Sequence, residues 1–183
     1  LLLLLLGVGV AAFILWAASV PDHPVDAKLR AQLEKVYANY LDAIDREDPK
    51  LLTSVLTDGR KKEYAEVWRI NNLGKFPDDF FKTKHLMPTM PPTTNFQFVA
   101  LTKSETHANL IYIGNMKGYL RKTSDDRRFL IIQFEKEDDG WKYLVVVDPP
   151  ASMVPNVDDR IRNDQLYFLK MKPFKAAEIP LVP

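Results

Sequence analysis

Beyond Pro92 the hydrophobic pattern of this chain changes from the period of a helix to the period of a strand, and it holds the second period until Asp148. Upstream, Leu29, Leu33, Val36, Tyr37, Tyr40, Leu41 and Ile44 follow the i, i+4, i+7, i+8 series that marks one face of an amphipathic helix. Asp26 is placed to cap its start. The helix is expected to stop near Glu47, because Asp48-Pro49 reads as a new cap followed by proline in the first helical position. A short second helix then carries Leu51, Leu52, Val55 and Leu56. Asp58-Gly59 reads as a turn, and a third helix is predicted from Lys61 to Leu73, with Tyr64, Val67, Trp68 and Asn71 on one side and Gly74 ending it. Phe76 to Phe81 fits one helical turn, and Met87 to Pro92 fits neither helix nor central strand, since proline lacks the backbone donor.

Downstream, four segments alternate. Phe96, Phe98 and Ala100 mark the first; Ala108, Leu110 and Tyr112 the second; Phe129, Ile131 and Gln133 the third; Trp141, Tyr143, Val145 and Val147 the fourth. Ser104-Glu105-Thr106 joins the first pair and Asp138-Asp139-Gly140 the last, while a polar link runs from Lys117 to Arg128. Helices followed by antiparallel strands define an α+β domain, with helices packed on one face of a curved sheet of about four strands.

Ahead of this domain, Leu1 to Val20 contain no charged residue. Twenty residues at about 1.5 Å each span roughly 30 Å, the thickness of a hydrocarbon core. The stretch is expected to be a single-pass transmembrane anchor (1-20) joined by a linker (21-25) to the domain (26-172). The competing reading is a cleaved signal peptide, for which Ala17-Ala18-Ser19 offers small residues; the apolar run is longer than the usual leader core of about 7–15 residues. Asp22 and Asp26 precede Lys28 and Arg30, and this scarcity of basic residues beside the span favours a domain on the periplasmic, extracytoplasmic side. Gly7, Ala11 and Ala18 share one helical face, where small residues let a second membrane helix approach.

Composition narrows the function. The chain has 25 basic and 24 acidic residues, net charge +1, which leaves no excess for gripping phosphate backbones, so nucleic acid is not an expected partner. Without cysteine there is no disulfide or thiolate site. His23, His85 and His107 lack metal-ligand spacing, and no phosphate-loop, dinucleotide or nucleophile-elbow motif occurs, so no metal or other cofactor is expected.

The segment from Lys35 to Thr57 resembles the opening of nuclear-transport-factor-2-like (NTF2-like) domains, through Tyr37, Tyr40, Leu41, Ala43, Ile44, Asp48, Leu51 and Leu52. The segment from Phe129 to Asp148, with Gly140-Trp141 before the last strand, resembles the terminal hairpin of that superfamily. Between Arg60 and Thr94 the chain departs from the family, which often places an early strand there. The resemblance implies a cone of helices and sheet whose open end can hold a small ligand. Some members, such as ketosteroid isomerases and polyketide cyclases, are enzymes, and many others are binding or accessory domains. An isomerase-like site would need a carboxylate base and a hydrogen-bond donor; Asp148 is the candidate base and Tyr40 or Tyr112 the candidate donor, with Tyr37 a further one. The competing readings are a turn-forming Asp148 before Pro149-Pro150, and core tyrosines on the apolar helix face.

From Asp148 the chain is rich in proline. Asp158 to Met171 fits a helix with Val157, Ile161 and Phe168 inward, or a late strand from Gln165, and residues 173-183 read as an extended tail that lies in a partner's groove or packs on its own sheet. The leading functional expectation is a non-catalytic, membrane-anchored interaction module, an accessory or assembly subunit of a larger membrane complex, for which a photosynthetic or respiratory assembly is a suitable host. Its partners would be other membrane subunits and the lipid bilayer, and a homodimer is compatible. The alternative is a small-ligand-binding protein or isomerase/cyclase-like enzyme with an NTF2-like pocket; a secreted protein with its leader removed is the third. Interface candidates are Gly7, Ala11 and Ala18 in the span and Phe76, Phe80, Phe81, Met87 and Met90 in the middle loops, the latter set competing with a role as core filling.

Overall fold

The computed structural model describes residues 26–86, 90–115, 127–153 and 156–162. Helix α1 (Ala27–Arg46) starts where the Asp26 carboxylate accepts the Leu29 N–H at 2.9 Å. It stops where Glu47 turns into the left-handed region (φ 54°), returning its N–H to Ala43. Asp48 caps the next helix, α2 (Pro49–Val55), by accepting from the N–H groups of Lys50 and Leu51. The third, α3 (Asp58–Ile70), begins three residues earlier than the sequence suggested, and Asp58-Gly59 is its first turn. The reason is Thr57, whose hydroxyl accepts the Arg60 N–H at 3.0 Å and so completes an N-cap that the Asp-Gly pair disguised. At the other end α3 closes before Leu73, because Asn72 takes a positive φ (52°) ahead of Gly74. A 3-10 helix runs over Phe80–Leu86, later than the turn expected at Phe76.

The four strands are β1 (Gln97–Lys103), β2 (His107–Asn115), β3 (Arg127–Glu137) and β4 (Gly140–Val147). They form one antiparallel sheet in the order β1-β2-β3-β4. Both short connections fall where expected: the Ser104 N–H reaches the His107 carbonyl at 2.7 Å, and Gly140 supplies a φ of +128° at the second hairpin. Arg127 and Arg128, expected in the polar link, already belong to β3. The outer edge of β4 meets the α2–α3 connection, where the Thr57 N–H donates to the Tyr143 carbonyl at 3.1 Å.

This is an α+β fold, with α1, α2 and α3 on one face of the sheet. There, Leu33, Tyr37, Tyr40 and Ala43 of α1 pack on Ala108, Leu110, Tyr112, Leu130, Ile132, Phe134 and Tyr143. The opposite face is buried too. Ala100, Ile111, Ile113, Phe129 and Ile131 form a second cluster with Ala151 and with Val157 of α4 (Val157–Arg162). The central strands record this in their sequence: Leu110 to Ile113 and Phe129 to Ile132 are apolar at almost every position, the mark of strands covered on both sides. Within the second face sits a polar row, Thr102, Asn109 and Gln133, each about as buried as the apolar core, with the Asn109 amide donating to the Thr102 hydroxyl at 3.1 Å.

No helix among the described residues is long and apolar enough to cross a membrane. The expected anchor at 1-20 with Gly7, Ala11 and Ala18, the linker, His23, Met87, the late strand from Gln165 and the tail at 173-183 lie outside the described residues. The expected helix from Asp158 is represented by α4.

Candidate functional site

The three residues proposed for acid-base chemistry sit in three different settings. Tyr40 lies inside the helix-sheet interface, its ring stacked on Tyr143 at 4.1 Å and next to Tyr37 at 6.3 Å. The Tyr37 hydroxyl donates to the Pro91 carbonyl at 3.0 Å, which ties α1 to the loop ahead of β1. Burial raises the pKa of all three phenols above the ordinary tyrosine range, most simply because a phenolate there would lose its hydration. Tyr37 has its proton committed to Pro91, and Tyr40 and Tyr143 face each other, so these rings fill space.

Tyr112 points from β2 toward α1 and donates to Glu34 at 2.5 Å. The same carboxylate accepts from the Arg30 Nε at 2.9 Å, and the Arg30 guanidinium lies 3.8 Å from the centre of the Phe98 ring. The Tyr112 pKa is raised, first by burial and then by its bond to the Glu34 carboxylate. This is the place where a phenol, a carboxylate and a guanidinium meet. Arg30 and Glu34 were missed in the sequence, although their i, i+4 spacing on the flank of α1 was the available signal.

Asp148 ends β4 beside Arg128, whose guanidinium reaches the Asp148 carboxylate at 3.2 Å and its backbone carbonyl at 2.6 Å. The carboxylate thus answers an arginine, at the far end of the strand from the β3–β4 hairpin.

Of the aromatic loop set, Phe80 is completely buried and stacks on Trp68 at 5.2 Å. Phe76 and Phe81 are half-buried around it, touching Phe80 at 5.7 and 5.1 Å, and Met90 is half-buried against the same core. Phe80 has therefore no surface to offer a partner, while the other three keep part of theirs.

His107 opens β2, with its Nδ1 2.8 Å from the Thr106 hydroxyl and its Nε2 4.0 Å from Glu135. No group of three potential metal-binding side chains occurs among the described residues.

An open groove of about 500 Å³ lies at the end of the domain where α1 starts, between the first turns of α1, the β1–β2 turn and the β3–β4 hairpin. Its walls carry Lys28, Lys103, Lys136 and Glu105, and its apolar surface comes from Leu29 and Trp141. The sequence did not reveal it, because the residues come from three separate elements and meet only through strand register. Compared with protein-family models, with curated proteins and with solved structures, the chain matches none.

Proposed function

We propose that this protein is a non-catalytic, membrane-anchored interaction module, an accessory or assembly subunit of a larger membrane complex, built on an NTF2-like cone. One observation carries the reading: the space between α1 and the sheet, where such a cone would receive a ligand, is filled by Tyr37, Tyr40, Tyr143, Leu33 and Phe134, all buried. A packed interior suits a scaffold that works through its surface. The apolar stretch Leu1 to Val20 supports placing that surface beside a bilayer, with the domain on the extracytoplasmic side.

The test is purification of the full chain in mild detergent, with the mass of the particle and its protein content determined together. A defined set of membrane proteins should co-migrate with the chain, and substitutions Gly7→Leu and Ala11→Leu should weaken that association. A lone monomer or dimer of the chain, unchanged by the substitutions, would overturn the reading.

A further inference from the structure

We propose that the groove at the α1 end of the domain takes the phosphate-bearing headgroup of a phospholipid, and so docks the domain on the bilayer in one orientation. The inference rests on the membrane-anchored reading above. Five residues, hence six Cα-to-Cα steps, separate Val20 from Asp26. At full extension they reach at most about 20 Å, so the start of α1 cannot lie far from the headgroup layer of a membrane entered by residues 1–20. The β1–β2 turn and the β3–β4 hairpin share that end, because Lys103 of β1 reaches Asp26 at 3.0 Å and Trp141 lies opposite Lys136 in the hairpin.

The chemistry of the groove fits a phosphate joined to an apolar body. Lys28, Lys103 and Lys136 bring three ammonium groups from three elements. Lys103 is engaged by Asp26, whose carboxylate also feels the charge of Lys28 from beyond ion-pair distance, and Lys136 has no ion pair among the described residues. An ammonium binds phosphate as a point charge, without demanding a planar partner. Leu29 and Trp141 offer apolar surface beside these cations, and tryptophan is favoured at headgroup depth because its ring is apolar and its N–H is polar. Of the acids at this end, Asp26 is committed to Lys103 and the Leu29 N–H, Asp139 to Lys142 and Glu137 to the Asp58 N–H, while Asp138 in the hairpin has no ion pair among the described residues. Glu135 lies 4.0 Å from His107. Glu105 is the carboxylate on the rim that opposes an anion.

The experiment is native mass spectrometry of the full chain in mild detergent, titrated in parallel with phosphatidylglycerol, with the matching phosphate-free diacylglycerol and with inorganic phosphate. One phosphatidylglycerol should bind in preference to the diacylglycerol. The double variant Lys28→Gln/Lys136→Gln should lose about fivefold in affinity per lysine removed. Glu105→Gln should bind more tightly, and Lys62→Gln, on the exposed side of α3, should bind as the unaltered protein does. Equal binding of phosphatidylglycerol and diacylglycerol, or no loss in the double variant at unchanged thermal melting, would overturn the proposal. So would binding of inorganic phosphate that fully competes with the lipid, which would make the groove a free-anion site. Alkaline carbonate extraction of membranes separates the two readings. Release of the chain refutes the anchor whatever the groove binds, whereas retention with no lysine-dependent lipid binding refutes the groove alone.

Discussion

The buried phenols make alkaline pH a sharp test of the packing. Tyr37, Tyr40, Tyr112 and Tyr143 all hold their protons more tightly in the fold than at the ordinary tyrosine pKa of 10.0, with burial the largest cause in each. The unfolded chain releases these protons above about pH 10, while the native chain keeps them. The native state then binds more protons than the unfolded state, so stability is fully present below about pH 10 and falls as the pH rises. Each phenol contributes a slope of about 1.4 kcal/mol per pH unit, and four together about 5.5 kcal/mol per unit. Against a typical domain stability of 5–15 kcal/mol, roughly one to three pH units are enough to unfold the protein. Urea melts between pH 8 and pH 12 measure the slope, and absorbance of phenolate measures the ionisation. Tyr143→Phe keeps the stacked ring and removes one proton, so the slope should fall by about a quarter. Ionisation of more than three of the seven tyrosines near pH 10 with the fold intact, or stability flat through that range, would refute the account of the α1–sheet interface.

Three further perturbations read other parts of the fold. Gly114→Ala would place a Cβ 2.5 Å from the Phe96 ring, and should cost about 1–3 kcal/mol in a urea melt, partly recovered when Phe96 is also changed to Leu. Asp48→Ala removes the acceptor for two N–H groups at the start of α2, and should cost about 1 kcal/mol, while Asp48→Asn should retain most of the stability. Tyr112→Phe deletes a bond to a carboxylate that stays partly exposed and keeps Arg30, so the loss expected in the same assay is about 1 kcal/mol, below the range for a fully buried charged partner.

The main elements of the fold were legible because their signals are periodic and local. The apolar stripe from Leu29 to Ile44 and the alternation after Pro92 each repeat often enough to outweigh a misleading residue. Asp58-Gly59 shows where that protection ends. A two-residue turn signal suggested a break, and one hydroxyl on Thr57, held in place by the Tyr143 carbonyl, turned it into the first turn of a helix. The second buried face was misjudged for a different reason. Alternation along a strand marks one inward face, whereas the continuous apolar runs in β2 and β3 carry the information that both sides are covered. The site was far less legible. Asp148, Tyr40 and Tyr112 stand out in the sequence by residue type, and type says nothing of which neighbour each meets in the fold. Arg128, Tyr143 and Glu34 are those neighbours, and they come from positions fixed by register and helix docking.

These placements also restrict where the proposed interaction module could meet a partner. Both faces of the sheet are buried, and the edge of β4 is engaged by Leu56 and Thr57. A partner can then meet the outer edge of β1, the backs of the helices or the ends of the strands. On the helix backs, α3 exposes Val67 and Ile70, at 40% and 61% of their surface, among Glu63, Glu66 and Arg69. Two separated side chains in such charged company make a poor hydrophobic anchor. The strand ends differ from each other. One carries Arg127 and Arg128, each already paired with an aspartate, beside Ala151 and α4. The other carries the groove, with Lys28, Lys136 and Trp141, at the point where the chain continues toward its apolar stretch. Uncommitted charge beside accessible apolar surface is what an interface uses, and the proposed membrane attachment would bring this end of the domain near the bilayer.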